Sequence, residues 1–452
     1  MSKKIDNPRE IALKILYDIE VNNAYSNVSL KKFLNSSSLK TIDRAFTTHL
    51  IYGVITNKKR LDWIISKFSN TPIKKMTPWI INILRLGIYQ ILYMDKVPPF
   101  AAVNEMVSLG KKYGHKKIAG FINGVLRNIV RAPKKQLEPS VDNEINFLSI
   151  FYSHPIWMVE MWVKMYGLDF TSKLLKKNNE IPPITIRTNT LKTTRKELML
   201  LLKKEGLLPR EGQWCPESIV FDNLSNIGEN KYFQEGLFHI QDESSMLVGH
   251  ILNPLKDQLI LDICVAPGGK ITHIAELMDN SGSIIGRDIY DHKIGLVKKN
   301  IKRLGISNIQ LELFDALQLD RNMIDKADRV LIDAPCSGLG IIRKKPDLKW
   351  NKSIDDLESI ILLQKKMIEN AGNYVKRGGY LIYSTCTINQ DENLKVVKYF
   401  LDNNPQFRLA PIKPISEKMK IHEKDLKQGY IQLFPHIDDI DGFFISKMQR
   451  II

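Results

Sequence analysis

Cysteine is scarce in this chain. Its 452 residues include four, Cys215, Cys264, Cys336 and Cys386. None belongs to a C-x-x-C pair, so the spacing gives no structural zinc site and no metal is expected. Met1-Ser2-Lys3-Lys4-Ile5-Asp6-Asn7-Pro8 lacks an apolar signal core. A cytoplasmic setting with free thiols is therefore expected. Long apolar runs are missing too. The longest, Trp79 to Met94, is interrupted by Asn82, Arg85 and Gln90. A bilayer needs about 20 residues, so this run reads as a buried core helix and no membrane contact is expected. Acidic residues are in deficit, with 49 against 66 basic ones, a net charge of +17. Such an excess favours a polyanionic partner, most simply nucleic acid. Lysine-rich compositional drift gives the same sign without any partner. Internal repeats and low-complexity tracts are absent.

What is present reads as a globular protein, 44% apolar and 25% charged, long enough for two to four domains at about 100–200 residues each. Residues 1–140 read as all helix. Ile11, Ile15, Leu16 and Ile19 recur at helical spacing. Thr77-Pro78 marks a helix start, and a helix from Phe100 to Lys112 stops at Gly114. Arg131-Ala132-Pro133-Lys134-Lys135 reads as a linker. Residues 145–245 mix types, as in a small α+β module. His154-Pro155 opens a helix holding Trp157 and Trp162, Ile184–Asn189 reads as a strand, and Thr193–Glu205 as a helix. From 246 to 452 strands and helices alternate, which predicts an α/β fold with a parallel sheet covered on both faces. Candidate strands are 259–263, 283–288, 308–313, 329–333 and 379–384. Tyr430–Phe434 and Phe443–Met448 read as a hairpin.

Chemistry concentrates at the predicted strand ends, where parallel α/β sheets place their sites. Asp333-Ala334-Pro335-Cys336-Ser337-Gly338 follows one strand, and Ser384-Thr385-Cys386-Thr387 follows another. A thiol nucleophile beside an acid suits covalent catalysis on a flat electrophile such as a pyrimidine. Upstream, Cys264-Val265-Ala266-Pro267-Gly268-Gly269-Lys270 breaks a strand into a glycine turn that lets a ligand approach the backbone. The G-x-G-x-x-G of dinucleotide folds is absent. Asp288 ends the next strand, where a carboxylate can hold ribose hydroxyls, and Asp315 after the third could meet an adenine amino group. The bland alternative is that these acids cap turns and helices. Lys270 either approaches Asp333 or the substrate or is solvated. Arg343-Lys344-Lys345 and Lys349 either grip phosphates or form a solvated face. His154, His239, His273 and His292 show no metal-ligand spacing and read as structural, as does Cys215.

These motifs are similar to those of the RNA cytosine-C5 methyltransferases, and that resemblance implies a particular chemistry. Carbon 5 of cytosine is a poor nucleophile, and a thiolate added at carbon 6 makes it an enamine able to attack a methyl sulfonium. In that chemistry Asp333 would supply a proton or hydrogen bond at ring nitrogen 3. Chemistry alone does not choose between Cys336 and Cys386 as the attacking thiol.

The RNA cytosine-C5 methyltransferases use S-adenosylmethionine on a Rossmann-like sheet. Val265 stands where that family commonly has alanine. Ile240-Gln241-Asp242-Glu243-Ser244-Ser245-Met246 is similar to a further family motif. Asp43-Arg44-Ala45-Phe46, Tyr52-Gly53-Val54, Leu86-Gly87-Ile88-Tyr89-Gln90 and Asn123–Asn128 resemble the helical RNA-binding domain of the NusB antitermination factor. The combination resembles the bacterial 16S ribosomal RNA members of the Sun family. The resemblance implies a 1–140 NusB-like RNA-binding domain, a 145–245 RNA-recognition module and a 246–452 methyltransferase domain. It implies that Cys264 through Lys270, Asp288, Asp315 and Asp333 line the cofactor and target pocket. It further implies Cys386 as nucleophile, Cys336 as the thiol assisting release, and 16S ribosomal RNA, naked or in an early assembly intermediate, as substrate of a monomer. Transfer RNA or another ribosomal site remains open, as does an RNA-binding assembly factor with an inert catalytic half. An exocyclic amino-methyltransferase would carry Asn/Asp-Pro-Pro-Tyr where this chain has Asp333-Ala334-Pro335-Cys336.

Overall fold

The computed structural model describes residues 6–141, 143–224 and 227–452. The first five residues of the stretch read above for a signal core lie outside that range. The chain forms two compact units. One runs to Glu180 and also takes in Lys345–Asn351; the other comprises Ile181–Lys344 and Lys352–Ile452.

The first unit is helical. Its helices include Pro8–Asn22, Ser26–Asn35, Thr41–Phe68, Pro78–Tyr93, Pro99–Tyr113 and Lys116–Arg131. Asn7 caps the first by accepting from the amides of Arg9 and Glu10, and Ile11, Ile15 and Leu16 face the core. Pro78 opens the fourth as expected, but Thr77 makes no side-chain cap bond. That helix is buried on most sides, polar residues included. The Arg85 guanidinium is satisfied by Asp62 at 2.7 Å and Glu20 at 2.7 Å. Among the described residues no helix is long and apolar enough to cross a membrane. The stretch expected as one middle module divides between the units. Helices Glu144–Phe151, Ile156–Tyr166 and Leu168–Asn178 belong to the first, where Trp162 is fully buried.

The seven-residue segment Lys345–Asn351 is held inside this first unit. Asp347 accepts from the Ser26 hydroxyl at 2.7 Å, and the Trp350 indole donates to the Ile55 carbonyl at 2.8 Å. The Lys349 ammonium donates to the Thr56 carbonyl at 2.7 Å and to Asn179 at 3.1 Å. Lys349 is therefore no phosphate grip. It is fully buried, and burial pushes its pKa well below the ordinary lysine value.

The second unit holds two sheets. The strands in chain order are β1 Ile184–Thr188, β2 Arg210–Glu211, β3 Ser218–Phe221, β4 Phe238–Ile240, β5 Leu259–Asp262, β6 Ser283–Asp288, β7 Ile309–Leu313, β8 Ala327–Asp333, β9 Val375–Thr385, β10 Phe407–Leu409, β11 Tyr430–Leu433 and β12 Phe443–Arg450. The small sheet is antiparallel, in the order β2-β3-β1-β4. The large sheet runs β10-β12-β9-β8-β5-β6-β7, with β11 on β12. Its β9-β8-β5-β6-β7 portion is parallel, as the alternating pattern predicts. The carboxyl-terminal hairpin adds to it antiparallel. Chain order reverses around β5 and β8, which opens a crevice at their carboxyl ends.

Candidate active site

The turn after β5 is shaped by glycine. Gly268 adopts a φ of +102°, and a Cβ there would lie 3.1 Å from Val297. Helix Gly269–Leu277 starts immediately after it. Arg187 of β1 anchors this helix from the small sheet. Its guanidinium donates to the Gly269 carbonyl at 2.7 Å and to Glu276 at 2.7 and 2.9 Å, and it also reaches Gln241. Arg187 is fully buried. Sequence reasoning read this position only as part of a strand, because nothing local distinguishes a buried arginine from an exposed one.

Carboxylates stand at the ends of the strands that flank the turn. The Asp262 side chain accepts from the Cys264 amide at 3.1 Å. Burial, with Asp333 and Asp288 nearby, pushes its pKa up to about 7. Asp288 closes β6 and accepts from the Tyr290 amide at 3.1 Å and the Ala266 amide at 3.4 Å. Asp315 follows β7 and accepts from the Leu317 amide at 2.9 Å. The Cys264 thiol is held well above its ordinary pKa, first by burial and then by Asp262, Asp333 and Asp288. A backbone turn with the carboxylates of Asp262, Asp288 and Asp333 beside it is a chemical match for a cationic, hydroxyl-bearing ligand. Arg287, beside Asp288 in sequence, is engaged elsewhere, with Glu312 at 2.8 Å and Asp320 at 2.6 Å.

The two sequence-predicted cysteines meet. β8 and β9 are parallel neighbours with Asp333 opposite Ser384. The turns after them bring Cys336 Sγ to 3.2 Å from Cys386 Sγ. Asp333 receives the Lys270 ammonium at 2.7 Å and the Ser384 hydroxyl at 3.0 Å. Of the alternatives for Lys270, the approach to Asp333 is the one observed. The Cys336 pKa is raised well above its ordinary value, first by the hydrogen bond with Cys386 and then by burial.

Other expectations need correction. Lys344 does not face outward to grip phosphate. It is locked between Asp242 and Asp441, at 2.5 and 2.8 Å, and Arg343 is buried with Asp439 and Asp441 within 3.9 Å. His250, passed over in the sequence, lies with Cys215 and Glu217, their donor atoms all within 4.8 Å. Glu217 there accepts from His250 at 2.9 Å. Glu392, also unread, bonds to both cysteine turns.

Comparison with known proteins gives the family to which the fold belongs. Residues 249–449 match the family model for the 16S rRNA methyltransferase RsmB/F. Residues 6–131 match the NusB family, and residues 154–227 a ferredoxin-like domain of RsmF/B-like methyltransferases. The "Probable ribosomal RNA small subunit methyltransferase B" of Bacillus subtilis (strain 168) is 39% identical over 445 residues, 98% of each chain. The crystal structure of PH0851 superposes with a TM-score of 0.82 at 26% identity, covering 99% of this chain and all of that one. NSun6 from Pyrococcus horikoshii, solved with SFG, gives 0.58 at 26% identity over 65% of this chain and 97% of that one. A full-length relative, a matched catalytic model and a matched helical model lead to one assignment: the chain belongs to the RsmB family of S-adenosylmethionine-dependent ribosomal RNA small subunit methyltransferases.

Proposed function

We propose that this enzyme methylates carbon 5 of a cytosine in 16S ribosomal RNA through a transient bond from Cys386 to carbon 6. The observation that carries this reading is the pair of thiols 3.2 Å apart at adjacent strand ends, beside the Asp333–Lys270 pair. S-adenosylmethionine, when bound, supplies the electrophilic methyl group. Cys264 through Lys270 form its backbone cradle, Asp288 holds the ribose and Asp315 the adenine. Asp333, steadied by Lys270 and Ser384, holds the cytosine edge at ring nitrogen 3. Cys386 attacks carbon 6, which concentrates electron density on carbon 5. After transfer, a base removes the carbon-5 proton, the electron pair left behind restores the 5,6 double bond, and the Cys386–carbon-6 bond breaks to return the thiolate, with Cys336 assisting release. Its raised pKa suits a group that keeps a proton at hand. The NusB-like helices supply RNA contact, in keeping with the +17 charge.

Paired substitutions test this assignment. Cys386→Ala is expected to abolish methylation, and Cys336→Ala to trap a covalent protein–RNA adduct on a denaturing gel. Adduct in the first variant and none in the second would reverse the roles. Bisulfite sequencing of ribosomal RNA with and without the gene checks the target base and carbon, and an unchanged pattern would remove 16S ribosomal RNA as substrate.

A further inference from the structure

Glu392 is fully buried and makes no ion pair among the described residues. A carboxylate placed that way is costly unless hydrogen bonds replace its water. Here they do. Its oxygens accept from the Ser337 amide at 2.8 Å and the Ser337 hydroxyl at 2.6 Å. They also accept from Asn389 at 3.1 Å, Gln364 at 3.3 Å and the Thr387 hydroxyl at 3.4 Å. Its own carbonyl receives the Tyr383 hydroxyl at 2.7 Å. These donors have separate origins. Ser337 follows Cys336, Thr387 follows Cys386, and Gln364 comes from helix Ile354–Tyr374. Gln364 also donates to the Pro335 carbonyl at 2.9 Å, so Cys336 is fastened on both sides. The Ser337 and Thr387 hydroxyls themselves lie 2.9 Å apart, within hydrogen-bond distance.

We propose that Glu392 is a positioning residue: its carboxylate staples the turn carrying Cys336 to the turn carrying Cys386 and sets the spacing of the two thiols. This rests on the reading above, in which those thiols attack and release the base. Glutamine has one acceptor oxygen where glutamate has two. Glu392→Gln therefore leaves either the Ser337 amide or the Asn389 side without an acceptor. Ser337→Ala removes the hydroxyl but leaves the Ser337 amide bonded to Glu392, and is the milder variant.

Both substitutions are made in the full chain. Three quantities are measured: methyl-transfer kcat with KM for RNA, cofactor affinity, and the rate at which diamide, an azo oxidant, joins the two thiols into a disulfide. For Glu392→Gln, kcat is expected to fall about 10- to 100-fold, the effect of one buried charge-assisted hydrogen bond. KM and cofactor affinity stay unchanged, and disulfide formation slows. Ser337→Ala moves the same readouts less. A wild-type kcat and thiol-joining rate in Glu392→Gln would overturn the proposal. So would a kcat loss matched by equal losses of cofactor affinity and melting temperature, which marks a merely structural role. Full methylation by Cys386→Ala would instead refute the thiol chemistry. The oxidation rate needs no catalysis and judges Glu392 by itself.

Discussion

Two carboxylates near the glycine turn lead to separate predictions. Asp288 accepts amide protons from Ala266 and Tyr290 and keeps oxygen lone pairs for a ligand. Asp288→Ala is expected to weaken S-adenosylmethionine binding at least 10-fold, since one charge-assisted bond contributes about 1.5–3 kcal/mol. Unchanged affinity in calorimetric titration would remove it from the cofactor site. Asp262 answers to pH instead, because its pKa in the folded state is about 7. A carboxyl raised in this way holds its proton in the native state where the unfolded chain has already released it. Its contribution is full below the unfolded value, about 4, and is lost as pH rises through the folded one. The cofactor-free protein should therefore lose melting temperature between roughly pH 4 and 7. Asp262→Asn keeps an acceptor for the Cys264 amide and should flatten that slope. Parallel slopes for the two proteins would sink the assignment. A bound sulfonium cation should flatten the wild-type slope as well.

Arg187 decides how β1 meets helix Gly269–Leu277, through its buried pair with Glu276 at 2.7 Å. Removing one member of a buried ion pair strands the other. Arg187→Met is expected to destabilise the protein by about 3–5 kcal/mol, and Arg187→Met with Glu276→Met to recover most of it. Denaturant midpoints of the two variants check this, and equal midpoints would contradict it. The elements themselves were readable in the sequence, and for a local reason. Apolar runs such as Arg329–Ile332 and Tyr380–Tyr383 stop at polar motifs, so the sequence by itself puts Cys336, Cys386, Asp288 and Asp315 at strand ends. The fasteners were not readable. Arg187 reaches Glu276 across 89 positions and Glu392 reaches Ser337 across 55. No periodicity records such pairings. Lys349 looked like a charged surface residue for the same reason, since its acceptor Thr56 lies 293 positions away.

The +17 charge belongs to the whole chain, and its role in RNA contact is testable by salt. Lys116, Lys117 and Arg127 are exposed on helix Lys116–Arg131. Replacing all three by glutamine should weaken RNA binding and make the log–log salt dependence shallower by about 0.7–0.9 for each phosphate no longer neutralised. An unchanged slope would refute contact by this helix. Substitution is a better instrument here than deletion. A fragment beginning near residue 142 would take away Ser26, Ile55 and Thr56, the partners of Asp347, Trp350 and Lys349. The same fact bears on recombination. The helical unit is encoded in two separate stretches, the long amino-terminal one and the seven residues Lys345–Asn351. A chimaera that imports a foreign helical domain by exchanging only the first stretch would present a mismatched socket to Lys349 and Trp350. A graft carrying both stretches keeps plug and socket from one parent, so the two distant pieces of the gene are constrained to be inherited together.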